Sequence, residues 1–105
     1  MHDSNQSPLA SSFVALYTAT PHGKPHLPEA ELRARYELCE DLACQLMDQA
    51  HTLHRTGLHE ESVLMAIHAG LAQAQSGLNG REARWVTLRL AELLAWRSPQ
   101  LTPSA

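Results

Sequence analysis

Between Pro28 and Gly57, apolar residues return at alternating steps of four and three: Leu32, Tyr36, Cys39, Ala43, Leu46, Ala50 and Leu53. Only an α-helix gathers positions so spaced on one side, and the a/d pattern lasts about three heptads. Leu42 and Met47 widen the stripe, as a helix with more than one neighbour requires. Pro28 suits the first helical position because its missing N–H would have no partner there. Glu29 and Glu31 favour the positive end of the helix dipole. Gly57 can adopt the left-handed conformation that ends the helix. At about 1.5 Å per residue such a helix is roughly 43 Å long. That length dominates a chain of 105 residues.

A second helix is predicted from His59 or Glu60 to Ser76, with Glu60 and Glu61 in its first turn and Gly77 closing it. Val63, Leu64, Ile67, Leu71 and Ala74 mark its buried side, and Ala66, Ala69, Gly70 and Ala72 are small enough to let another helix approach. A third helix starts after Asn79, which with Glu82 has capping-box spacing, and runs to about Arg97, before Pro99. Residues 1–27 are rich in Ser, Thr, Pro and His and form an N-terminal arm, partly flexible. Within it Phe13, Val14, Leu16 and Tyr17 should pack on something. The expectation is an all-α, three-helix domain over residues 28–97, a helical hairpin plus a third helix. The arm precedes it and a disordered tail follows over 98–105.

The third helix carries two apolar faces. At about 100° per residue, Ala83, Val86, Leu90, Leu93 and Leu94 share one arc. Trp85, Leu88 and Trp96 lie on the other side, interleaved with Arg89 and Glu92. Trp and Arg are the residues most enriched at binding hot spots, because each joins a large contact area to a polar handle. Trp85, Leu88, Arg89, Glu92 and Trp96 are therefore the candidate partner-binding residues. The competing reading is that the arm or the first helix covers both indoles within one monomer. The second face, with the three-four spacing of the first helix, also points to a homodimer.

Other chemistries find little purchase. A net charge of −3 offers no broad attraction to phosphate backbones. Arg81, Arg84, Arg89 and Arg97 place half of the eight basic residues on the third helix, but beside two indoles rather than as a base-reading row. Cys39 and Cys44 point about 140° apart on one helix, so no disulfide framework is expected and a reducing compartment fits. The chain starts without a basic, apolar leader, and its run Phe13–Tyr17 is too short to span a bilayer. A cytoplasmic location follows as the expectation. His51 and His54 lie three apart, with His59 just beyond, and could share a metal ion, though no strong zinc signature accompanies them. A metal-binding or purely structural homodimer is thus the alternative. No catalytic constellation or cofactor motif is present, so no enzyme and no cofactor are expected.

The first two helices also resemble one tetratricopeptide-type hairpin, with Gly57 at the turn and Ser62, Ala66 and Ala69 following. Across the stretch from Glu31-Leu32-Arg33-Ala34-Arg35-Tyr36-Glu37-Leu38-Cys39-Glu40 to Arg84-Trp85-Val86-Thr87-Leu88-Arg89-Leu90-Ala91-Glu92-Leu93-Leu94, the chain resembles the small helical antiactivators of bacterial quorum sensing. Those proteins sequester a LuxR-type transcription regulator. The resemblance implies binding to the regulator's ligand-binding region and loss of its DNA binding, with no catalytic or cofactor residue to carry over.

Overall fold

The computed structural model describes residues 9–18 and 25–99. Four α-helices occur there: α1 (Ser11–Val14), α2 (Glu29–Arg55), α3 (Glu60–Leu71) and α4 (Gly80–Leu94). The fold is all-α. Among the described residues the only β-type pairing is an isolated bridge between Thr18 and Pro25. The chain divides within α2 into two compact units, one up to Glu37 and one from Leu38 onward. The expectations for residues 1–8, 19–24 and 100–105 lie outside the described residues.

The first unit is built around one aromatic side chain. The amides of Phe13 and Val14 donate to the Ala10 carbonyl at 3.0 and 3.1 Å, starting α1. A 3-10 turn over Ala15–Tyr17 follows, and the Thr18 hydroxyl closes it on the Val14 carbonyl at 2.9 Å. Phe13 is fully buried. Its ring centre lies 5.6 Å from Tyr17 and 5.3 Å from Tyr36, the latter nearly edge-on, which is the favoured aromatic geometry. The apolar patch of the arm does pack, and it does so on the start of α2.

In the second unit, the a/d stripe of α2 turns inward as its spacing requires: Cys39, Ala43 and Ala50 are buried, Leu46 and Leu53 partly so. Gly57, at φ 106°, makes the turn into α3. Val63, Leu64, Ile67 and Leu71 form the buried side of α3. The helix stops at Leu71, five residues before the expected Ser76. The Ser76 hydroxyl donates to the Leu71 carbonyl at 2.6 Å and accepts the Leu78 amide at 3.0 Å, so one side chain satisfies both ends of the break. Ala74, expected inside, is consequently exposed in a 3-10 turn over Ala74–Ser76.

The capping box that opens α4 is complete. The Glu82 amide donates to Asn79 Oδ1 at 2.8 Å, and the Asn79 amide donates to Glu82 Oε1 at 3.1 Å. The helix ends at Leu94 rather than near Arg97, because Ala95 adopts the left-handed conformation at φ 59°. The Ala95 amide bonds to the Glu92 carbonyl at 3.1 Å and the Trp96 amide to that of Ala91 at 2.9 Å. This is a Schellman ending with alanine where glycine is usual, at a cost of about 1 kcal/mol. Glu82, Ala83, Trp85, Val86, Thr87, Leu90 and Ala91 are all buried, so α4 is the most enclosed of the helices. Among the described residues no helix is long and apolar enough to cross a membrane.

Candidate functional site

The second face of α4 is largely engaged inside the chain. Trp85 is only 8 % exposed. Leu88 is half-buried and Glu92 is exposed. Arg89 reaches across to α2, where Nε donates to Glu40 Oε1 at 2.6 Å and Nη2 to Glu40 Oε2 at 3.3 Å. Its third contact is Nη1 to Glu92 Oε1 at 3.1 Å. The hydrogen bonds to Glu40, with that to Glu92 behind them, push the guanidinium pKa above its ordinary value despite some desolvation, so Arg89 stays charged. Trp96 is half-buried, its ring centre 5.1 Å from His54 and 6.3 Å from His51. Of the five candidates, then, Arg89 and Glu92 are joined in one network and Trp96 belongs to a separate aromatic cluster. Glu40, the carboxylate that completes the network, reads in sequence as a plain solvated charge. Only its position across from Arg89 reveals its role.

Among the described residues no group of three His, Cys, Asp or Glu side chains is arranged to hold a metal ion. His54 Nδ1 lies 2.9 Å from the Leu58 carbonyl, and its ring rests on Trp96. His54 falls on the apolar side of α2 by its spacing, which predicts a packed core position, but the residue is exposed. His54 and His59 instead line an open cavity of about 740 Å³, with Glu60, Glu61, Arg97 and Pro99. Neither cysteine is in a disulfide; Cys39 is buried and Cys44 exposed.

Among the described residues, a face without charge and without cover lies on α3. Ser62, Met65, Ala66, Ala69, Gly70 and Gln73 point outward and are all exposed, Met65 by 44 %. From residue 62 to residue 80 the chain contains no Asp, Glu, Lys or Arg. A Cβ placed on Gly70 would meet nothing within 4 Å, so none of the described residues takes up the space above it. Exposed helix faces ordinarily carry charge, whereas the centres of protein interfaces are depleted of it. The sequence signal was this gap in charge, not the small residues alone.

No protein-family model, no curated protein and no solved structure matches the chain.

Proposed function

We propose that this chain is a non-catalytic regulatory protein that acts by binding another protein, with the outward face of α3 as its contact surface. The observation that carries this reading is the charge-free, uncovered strip of Ser62, Met65, Ala66, Ala69 and Gly70. A partner that docks there buries apolar and small side chains without desolvating a single charge, and the small residues let a second helix come within about 8–10 Å. Neutral meets neutral: the matching surface on the partner is itself an apolar helix or groove.

The earlier candidates on α4 and just beyond its end take a supporting part. Trp85, Arg89 and Trp96 have partners of their own in the chain, so they hold the scaffold. Glu92, which is exposed, and Leu88, which is half-buried, border any contact made from that side. The candidate partner is a LuxR-type quorum-sensing regulator, which the resemblance across Glu31–Leu94 suggests. Binding would then compete for the regulator's own interface and cost it its DNA, in the cytoplasm. A homodimer through the same strip is the competing occupant.

Light scattering on purified proteins separates these. The regulator mixed with the chain should give a heavier complex, and Ala66→Glu with Ala69→Glu should abolish it while helical content stays unchanged. A chain that is dimeric alone, becomes monomeric in the variant and ignores the regulator would assign the strip to self-association.

A further inference from the structure

The outward side of α3 has an order as well as a lack of charge. Met65 is the large apolar side chain on it, 44 % exposed, and Gly70 is the exposed position with no side chain at all. At about 100° per residue they fall on opposite edges of the strip, with Ala66 and Ala69 between them. The strip is also matched end to end. Ser62, Met65 and Ala66 stand as far before the midpoint of Ile67 and His68 as Gln73, Gly70 and Ala69 stand after it. Two copies of α3 laid antiparallel about that midpoint bring Met65 of each over Gly70 of the other, and Ala66 against Ala69. The thioether side chain then fills the space that glycine leaves, where an added Cβ meets none of the described residues within 4 Å. The alanines let the two backbones close to about 8 Å. Each copy supplies both the knob and the gap, as a twofold contact requires.

We propose that the resting occupant of the α3 strip is a second copy of this chain, paired antiparallel, with Met65 of each copy seated on Gly70 of the other. The proposal rests on the reading of this face as a contact surface, and a foreign partner has to displace the second copy to use it. Charge sets the orientation. Glu60 and Glu61 stand in the first turn of α3, so a parallel pair would crowd four carboxylates at one end. The antiparallel pair keeps two at each end and runs the helix dipoles in opposite directions. The 12 residues of α3 span about 18 Å. A single helix pair of that length falls short of the roughly 1,200–2,000 Å² that a stable dimer buries, so the pairing is weak and the second copy exchangeable.

Sedimentation equilibrium on the whole chain alone tests the pairing and its register. Gly70→Met sets methionine against methionine and should weaken self-association about tenfold or more. Met65→Ala leaves the gap unfilled and should weaken it by about tenfold. Met65→Ala with Gly70→Met moves the large residue to the other side of the contact and should bring the association back to within about threefold of the wild type. Both positions are exposed, and methionine and alanine favour a helix, so helical content should stay at the wild-type level throughout. A wild type that stays monomeric up to about 1 mM overturns the pairing and leaves the strip to a foreign partner. So does either single variant that associates like the wild type, or a double variant as weak as the singles. The regulator takes no part in these measurements, so a failure here is distinct from its failure to bind.

Discussion

Arg89 on α4 grips Glu40 on α2 through two N–H groups on two carboxylate oxygens, at 2.6 and 3.3 Å, with both side chains only a quarter to a third exposed. The planar fork of a guanidinium matches a carboxylate in a way an ammonium cannot. Partial exposure moderates the energy. Glu40→Gln or Arg89→Ala should each cost about 1–2 kcal/mol, read as a fall in melting temperature of roughly 4–10 °C. Arg89→Lys should recover less than half of that, and the double variant should show that the two losses are not additive.

Glu82 carries a different prediction. Its carboxyl belongs to the capping box yet is fully covered, and burial pushes its pKa up despite the opposing bond from the Asn79 backbone. A carboxyl whose folded pKa lies above the unfolded value favours the fold while protonated, at low pH. That contribution is lost as the pH rises through the folded pKa. Glu82→Gln keeps the capping acceptor and removes the buried charge, so it should equal or exceed the wild type in stability at pH 7. The advantage should shrink towards pH 4, as chemical denaturation at the two pH values would reveal. Glu82→Ala should lose about 1 kcal/mol or more at both.

Phe13 tests the first unit. It is fully buried against Tyr17 and Tyr36, so Phe13→Ala should cost that unit about 3–4 kcal/mol. Near-ultraviolet circular dichroism should lose its tyrosine bands, while far-ultraviolet helical signal from the long helices largely persists.

Ala95 should be improvable. At φ 59° it pays a steric penalty that glycine avoids, so Ala95→Gly should stabilise by about 0.5–1 kcal/mol, less the extra freedom glycine brings to the unfolded chain. A drop in melting temperature would mean that the alanine methyl makes a contact worth more than the strain.

The helices were legible because their periodicity is a property of the backbone. Leu32, Cys39, Ala43 and Ala50 had to share a side, and Asn79 with Glu82 had to cap α4, whatever lay elsewhere in the chain. Two helix ends were not. The break after Leu71 depends on a hydroxyl five residues on, and the end of α4 on an alanine in a conformation that favours glycine. Neither has a local sequence signal. The candidate site was harder still. Wheel geometry set Trp85 and Trp96 apart from the main stripe of the third helix, but could not say that Trp85 would be buried, or that Trp96 would fall beyond the end of α4 against His51 and His54. The lack of charge between residues 62 and 80 was plain in the sequence and became informative only once the outward side of α3 was seen to be exposed among the described residues.

The most direct test of protein binding through α3 is the anisotropy of a labelled DNA duplex held by a purified LuxR-type regulator, as the chain is titrated in. The wild type should release the duplex at near-stoichiometric concentration. Ala66→Glu with Ala69→Glu, folded to the same helical content, should need at least tenfold more, since two charges would be buried unpaired in the contact. Release by the variant at the same concentration as the wild type would contradict the assignment of α3 as the binding face. Failure of the wild type to release DNA at any concentration would remove the regulator as its partner.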